Sequence, residues 1–176
     1  MRIVREQAVA IIVDYQGKLV PVMNENEQLL HNSQILLEGL KTLDIPMYIT
    51  QQYTKGLGMT VDSIMEAAGT TEYLDKIAFT AYDSVKWKLR GKKFVIVCGI
   101  EAHICVLQTV IDLKEAGYIP VLVADCISSR KESDKQIAIE RARQEGAIVT
   151  TYESLLFELL KVAGTDTSKT IQKLIR

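Results

Sequence analysis

The sequence predicts an α/β protein with three layers, αβα, in which a mostly parallel, Rossmann-like central sheet carries helices on both faces. Two observations support this fold class. Short apolar runs alternate with segments of helical periodicity along the whole chain, which is typical of βαβ units. The first run, 8–13, is apolar at every position, as expected of a strand buried on both faces of a sheet.

The predicted elements follow one another in a simple order. We expect strands at 8–13, 46–50, 93–98, 119–124 and 147–150. Helices are predicted at 27–43, 84–89, 104–116, 131–145, 152–162 and 169–176, and two of them are followed by the stop signals Gly117 and Gly146. Residues 51–72 contain several glycines and predict a long irregular connection, which is a kind of segment that often carries function.

Length and charge narrow the possible functions. The chain has 176 residues, enough for a single domain (1–176) with a sizeable core. Its 21 basic and 22 acidic side chains give a net charge of -1, so no overall basic excess indicates a nucleic-acid partner. No apolar stretch approaches the ~18 residues of a membrane helix, and the charged residues 1–6 are unlike a secretory signal.

Cysteine and histidine usage points to a reducing compartment and away from metals. The chain has three cysteines and two histidines, with no Cys-x-x-Cys pair. We therefore expect free thiols in a cytoplasmic protein rather than a disulfide framework or a zinc site.

Cys105 is the candidate nucleophile. It follows a β-branched apolar run that ends at Gly99, and it lies where the next helix is predicted to begin. A helix N-terminus carries roughly half a positive charge, which favours a thiolate. Buried helix cysteines are also common as plain core residues. Cys98, inside a strand, and Cys126, predicted to be half exposed at a strand end, have no helix directly after them.

Asp14 and Lys76 are less distinctive on local grounds. Asp14 comes directly after the first strand, and ligands bind outside the carboxyl ends of parallel strands. An aspartate there serves equally well as a turn or helix cap. Lys76, taken alone, has the pattern of a solvated surface lysine.

Three short motifs occur in the order that is typical of one enzyme family. They are Asp14-Tyr15-Gln16 after the first strand, Lys76 ahead of Phe79-Thr80-Ala81-Tyr82, and the turn from Gly99 to Cys105. Together they resemble the isochorismatase-like cysteine hydrolase family. Residues 50–58, Thr-Gln-Gln-Tyr-Thr-Lys-Gly-Leu-Gly, also resemble its isochorismatase domain-containing subgroup. The resemblance extends over roughly residues 8 to 162.

The resemblance implies a catalytic triad of Asp14, Lys76 and Cys105. Lys76 would favour the thiolate by its charge, and Asp14 would take the thiol proton and return it to a leaving amine. The resemblance also implies an oxyanion hole made of the backbone amides of Glu101 and Cys105, with a cis peptide bond between Ile100 and Glu101. The implied reaction is hydrolysis of a small-molecule amide or related C–N bond through a thioester.

One departure from the family pattern bears on metals. Nicotinamidases of this family carry a metal-binding Asp-x-His after the second strand, whereas residues 51–55 here read Gln-Gln-Tyr-Thr-Lys. The resemblance therefore implies a metal-independent enzyme without a cofactor.

The substrate pocket and the assembly are predicted only in outline. Gln16, Phe79, Tyr82 and His103 are candidates for lining the pocket, although each equally fits a surface or packing role. The resemblance implies a homo-oligomer that acts on a small molecule, and the charge and hydropathy of the chain predict no nucleic-acid or membrane partner. The alternative function is a catalytically idle binding or scaffold protein that keeps the hydrolase fold. A dinucleotide-dependent dehydrogenase is disfavoured because the glycine fingerprint is missing after the first strand.

Overall fold

Six parallel strands form the central sheet of this computed structural model, which describes residues 1–176. The strand order is β3-β2-β1-β4-β5-β6 and every pairing is parallel. The strands are β1 Ala8–Val13, β2 Met47–Gln52, β3 Leu74–Lys76, β4 Phe94–Ile100, β5 Ile119–Ser128 and β6 Ile148–Thr150.

The chain has eight α-helices, and seven of them cover the two faces of the sheet, which confirms the predicted αβα architecture. The eight helices are α1 Asn26–Thr42, α2 Thr54–Leu57, α3 Asp62–Ala68, α4 Tyr82–Val85, α5 Leu107–Glu115, α6 Glu132–Gln144, α7 Tyr152–Leu160 and α8 Asp166–Ile175. Helices α1, α3, α7 and α8 pack on one face, and α4, α5 and α6 pack on the other. None of these helices combines the length and the apolar character needed to cross a membrane.

The burial of both faces of β1 explains why its sequence is apolar at every position. Successive side chains of a strand point to opposite faces of the sheet. Ala8, Ala10 and Ile12 accordingly lie in the core under α1, while Val9, Ile11 and Val13 lie in the core under α5. Both faces are covered by helices, so neither set of side chains reaches solvent.

Several elements differ from the sequence-based predictions. Strand β3 was not predicted, because three residues are too few to show a periodicity. The connection 51–72 is not wholly irregular, since it contains α2 and α3. Cys105 lies in a single π-helical turn, Ala102–Val106, ahead of α5.

One cysteine has a different exposure from the one predicted. Cys126 is fully buried rather than half exposed, because β5 continues past it to Ser128. The side chain of Trp87 is exposed in the single chain.

The C-terminal helix α8 packs on its own chain. It begins at Asp166, where the Thr165 side chain accepts a hydrogen bond from the Ser168 N–H at 3.0 Å and caps the helix. Ile171 is buried in the core that α8 shares with α1 and α7. The apolar side of α8 is therefore covered within the chain.

The sheet register brings the candidate catalytic residues to one edge. Val13 pairs with Thr50 on β2 and with Gly99 on β4, so the chain just beyond each strand emerges at the same place. Gln52 pairs with Lys76 on the outer strand β3. Gly99 has φ +132°, and a Cβ there would lie 2.0 Å from the carbonyl oxygen of Val13. Only glycine allows β1 and β4 to approach this closely beside the site.

Candidate active site

Asp14 and Lys76 form a buried ion pair at the carboxyl edge of the sheet. The Lys76 Nζ lies 2.7 Å from Asp14 Oδ2, and both side chains are closed to solvent. Asp14 Oδ1 accepts a hydrogen bond from Thr50 Oγ1 at 2.9 Å, while Oδ2 accepts none of regular geometry. Burial raises the pKa of Asp14, and the charge of Lys76 opposes that rise only in part.

The Lys76 ammonium is surrounded by further acceptors. It donates to Gln52 Oε1 at 2.8 Å, to the Phe79 carbonyl at 2.8 Å and to the Ala78 carbonyl at 3.2 Å. These contacts hold the loop after β3 around the end of the lysine side chain. Lys76 is therefore a buried cation with partners on all sides, and not the solvated surface residue that its local sequence suggested.

Gln16 positions Gln52, one of the residues that accept a hydrogen bond from Lys76. Its Nε2 donates to the carbonyls of Gln52 at 2.9 Å and Gly58 at 2.7 Å, and its Oε1 accepts from the Gln52 N–H at 2.7 Å. The fully buried Gln16 side chain thus pairs with the backbone of Gln52 as a neighbouring strand would. Gln52 then presents its own side chain to Lys76.

Cys105 lies beside the ion pair and is only 7% exposed. Burial raises the pKa of its thiol to about 12, and the Asp14 carboxylate adds to that rise. The charge of Lys76 and the Glu101 backbone N–H lower this pKa but are outweighed. At neutral pH this balance favours the thiol over the thiolate. Desolvation and a neighbouring negative charge exceed the favourable field of the turn.

The turn before Cys105 presents an unpaired backbone amide. The peptide bond between Ile100 and Glu101 is cis, as the resemblance implies. The Glu101 N–H donates to no backbone carbonyl, and its nearness to the Cys105 sulfur lowers the pKa of that thiol. A free amide beside a thiol is the type of donor that stabilises an oxyanion formed on the carbon that the sulfur attacks.

The side chain of Glu101 anchors this turn to the loop after β5. Its carboxylate, largely withdrawn from solvent, accepts from the Arg130 backbone N–H at 3.2 Å and from Arg130 Nε at 3.1 Å. His103 makes a second contact to the same loop, with 2.8 Å between its Nδ1 and Ser129 Oγ.

Thr109 connects the two halves of the site. This buried residue on α5 donates from its Oγ1 to the Cys105 carbonyl at 2.7 Å and accepts from the Ala81 N–H at 2.8 Å. The loop that surrounds Lys76 is therefore fastened to the turn that carries Cys105.

The pocket candidates lie in different settings. Phe79 is 54% exposed, although its carbonyl binds Lys76. The ring of Tyr82 is half buried and lies 6.5 Å from that of Tyr118. Gln16 is inside the structure behind Gln52, and His103 faces the loop after β5. Asp14, Lys76 and Cys105 line none of five surface cavities with volumes of about 170 to 560 Å³.

Four residues of the site were missed by sequence reasoning. They are Thr50, Gln52, Thr109 and Arg130. Thr50 and Gln52 carried a usable signal, because they end the strand next to β1 and so share its edge. Thr109 and Arg130 carried none. No group of three or more His, Cys, Asp or Glu side chains is arranged to hold a metal ion.

A parallel sheet that carries a thiol and a buried carboxylate–lysine pair on its carboxyl edge defines a hydrolase-type α/β fold. The sequence pattern of the isochorismatase domain family matches residues 8–154. The chain therefore belongs to the isochorismatase domain family.

Individual relatives agree with this assignment over the full chain. The secreted isochorismatase effector Isc1 of Phytophthora sojae is 33% identical over 99% of this chain and 87% of its own length. The MAR1 ribonuclease of Caenorhabditis elegans is 34% identical, with a TM-score of 0.93 over 99% of this chain and 92% of that one. The YcaC gene product of Escherichia coli, described as an octameric hydrolase of unknown specificity, is 23% identical. It superposes with a TM-score of 0.90 over 99% of this chain and 90% of its own.

Proposed function

We propose that this protein is a cysteine hydrolase that cleaves a small-molecule amide or related C–N bond through a thioester. The observation that carries the proposal is the buried ion pair of Asp14 and Lys76 beside the Cys105 thiol. Its raised pKa makes the Asp14 carboxylate a stronger base toward the neutral Cys105 thiol.

The proposed first half-reaction forms the thioester. Cys105 Sγ attacks the carbonyl carbon while its proton passes to Asp14. This transfer is needed because a pKa of about 12 leaves the resting Cys105 protonated. The carbonyl oxygen becomes an oxyanion that accepts hydrogen bonds from the backbone N–H groups of Glu101 and Cys105. When the tetrahedral adduct collapses, the C–N bond breaks and Asp14 returns the proton to the leaving nitrogen.

The second half-reaction hydrolyses the thioester. Asp14 takes a proton from water as the oxygen attacks, the C–S bond breaks, and the proton returns to sulfur. Lys76 keeps its charge throughout, and it stabilises the Asp14 carboxylate before the thiol proton arrives. Donation to Gln52, Phe79 and Ala78 holds the ammonium in place during both steps.

The proposed chemistry requires no metal or cofactor. Residues 51–55 offer amide, hydroxyl, phenol and ammonium groups, and neither histidine lies in this stretch. Gln51 accepts from the Thr60 N–H and hydroxyl at 2.8 Å each, so its oxygen is already engaged within the chain.

We also propose that the protein is a cytoplasmic homo-oligomer. Ile77 and Phe79, in the loop that binds Lys76, are 71% and 54% exposed. A second copy would cover these apolar side chains and narrow the entrance to the site. All three cysteines are free, which suits a reducing compartment. Light scattering of wild type and Phe79→Ser tests the assembly, and a monomer in both proteins would contradict it.

The decisive experiment looks for covalent chemistry at Cys105. The protein is mixed with a panel of small primary amides and esters, quenched in acid and weighed intact. We expect an acyl adduct on Cys105, release of amine or alcohol in the wild type, and neither product in Cys105→Ala. Cys98→Ala is the matched control, because that thiol is buried in β4, and it should react normally.

The idle-scaffold alternative makes a different prediction. A panel member would then bind equally to wild type and Cys105→Ala, with no adduct and no product in either. Turnover that survives in Cys105→Ala would overturn the proposed mechanism.

A further inference from the structure

A basic segment lies at the opposite edge of the sheet from the candidate active site. Residues 86–93 read Lys-Trp-Lys-Leu-Arg-Gly-Lys-Lys, which is five cations and one aromatic side chain without any acid. The segment leads into the amino end of β4 at Phe94, whereas Asp14 and Lys76 lie at the carboxyl ends of their strands. The net charge of -1 for the whole chain conceals this local excess.

Four of the five positive charges are without a counter-ion. Lys86 pairs with Asp83 at 2.9 Å. Lys88, Arg90, Lys92 and Lys93 form no ion pair. Lys92 Nζ donates to the Glu6 carbonyl at 3.1 Å, a neutral partner that leaves its charge uncompensated. The segment therefore presents a concentrated positive field to solvent.

An aromatic cavity adjoins this charge. It has a volume of about 220 Å³, most of its lining residues are apolar, and its aromatic walls are Tyr48, Tyr73 and Trp87. Lys88 Nζ lies 4.3 Å from the ring centroid of Trp87 and 5.3 Å from that of Tyr48. The Trp87 side chain is nevertheless 55% exposed. One carboxylate, that of Glu72, also lines the cavity.

We infer that this cavity and the basic segment form a binding surface for single-stranded nucleic acid. A base enters the cavity and stacks on the face of Trp87 that Lys88 does not cover, and the flanking phosphates face Arg90 and Lys92. An aromatic platform beside a track of unpaired cations is the arrangement that binds single strands without sequence preference. An acidic peptide or an anionic membrane would satisfy the cations alone and would leave the aromatic cavity unused. The surface is separate from Cys105, so binding does not depend on the proposed hydrolysis.

Fluorescence anisotropy with a labelled oligothymidylate of about 10 nucleotides tests the inference. We expect the wild-type protein to bind with a Kd of roughly 10⁻⁴ to 10⁻⁶ M that weakens as salt rises. Arg90→Ala and Lys92→Ala should each weaken binding and reduce the slope of log K against log salt by about 0.7. Arg143→Ala on α6 and Lys173→Ala on α8 remove the same charge from other exposed positions, and they should bind as wild type does.

Three further measurements test the role of the cavity and its independence of Cys105. Trp87 is the only tryptophan, so its fluorescence should be quenched as the oligonucleotide is added. Glu72→Gln should tighten binding by removing the carboxylate from the cavity. Cys105→Ala should bind as wild type does, which distinguishes failure of this inference from failure of the proposed hydrolase.

Several results would overturn the inference. One is the absence of any anisotropy change at low salt. Another is equal binding by Arg90→Ala, Lys92→Ala and their controls. Equal affinity for an abasic strand would remove the role of Trp87. Preferential binding of polyglutamate or of vesicles containing phosphatidylserine would assign the cations to a different partner.

Discussion

The ammonium of Lys76 lies 2.7 Å from the carboxylate of Asp14 at a point that solvent does not reach. The same chain contains an exposed pair of similar length, Lys86 and Asp83 at 2.9 Å. The two pairs differ in what surrounds them. A buried charge that loses its partner stays desolvated, whereas an exposed one is taken up by water.

Removing Lys76 should therefore destabilise the protein strongly. We expect Lys76→Met to lower the free energy of unfolding by about 3–5 kcal/mol, because it leaves Asp14 buried without its counter-ion. Urea denaturation at neutral pH measures the change. Lys86→Met is the matched control and should have little effect.

The double variant Asp14→Asn/Lys76→Met checks the physical reason. It removes both charges together, so it should be more stable than Lys76→Met alone. A double variant that is less stable than the single one would show that packing around the lysine stem, and not the stranded carboxylate, causes the loss.

The alkylation rate of Cys105 should depend on pH in the way expected of a buried thiol with a raised pKa. Because its pKa is raised to about 12, alkylation by iodoacetamide should be slow at neutral pH and rise over the whole range in which the fold persists. Asp14→Asn removes a negative charge that raises this pKa, so it should accelerate alkylation at a given pH. The same variant should lose turnover, because the proposed base is gone.

Labelling at Cys105 is read by peptide mass spectrometry against Cys98, which is fully buried and whose pKa is also raised to about 12. A wild-type alkylation rate that reaches a plateau near neutral pH would indicate a resting thiolate. It would contradict the electrostatic balance described for the site.

Gln16 should stabilise the protein through the backbone groups to which it is hydrogen-bonded. Gln16→Leu leaves the N–H and carbonyl of Gln52 and the carbonyl of Gly58 without this partner. Each buried group left unpaired costs about 1–3 kcal/mol, so a clear drop in the urea midpoint is expected. Gln136→Leu, on the exposed side of α6, is the control and should leave the midpoint nearly unchanged. Equal midpoints for the two variants would mean that water replaces the Gln16 contacts.

Gly99 should tolerate no side chain. In Gly99→Ala the new Cβ would meet the Val13 carbonyl oxygen at 2.0 Å, at a φ of +132°. We expect a loss of about 3 kcal/mol or more from steric overlap and backbone strain. Gly17→Ala is the control, because its nearest neighbour would be the Met59 carbonyl oxygen at 3.8 Å. Thermal unfolding compares the two, and equal melting temperatures would show that β1 and β4 separate at little cost.

Local pattern predicted the elements that are long or strongly periodic. β1 was recognisable because both of its faces are buried, and α1 and α6 were predicted to within one residue at each end. β3 was not recognisable, because three residues carry no period and the strand forms only by pairing with β2. The exposure of Trp87 and the burial of Cys126 also depend on neighbours that are distant in sequence.

The sequence by itself determined which chemical groups are available and the order in which the sheet edge presents them. Asp14, Lys76 and Cys105 could be named from their motifs. Only the tertiary structure decided how deeply these three side chains are buried and which of them carry a charge. The pairing of β2 with β3 brings Lys76 beside Gln52, and the pairing of β1 with β4 brings Val13 beside Gly99. The resulting burial encloses the Lys76 ammonium, although its local sequence is typical of a surface lysine. The same burial keeps the proton of Cys105 on its sulfur. The reason is that a pKa depends on solvent access and on charges within a few ångströms, and both of these are set by contacts between residues far apart in the chain.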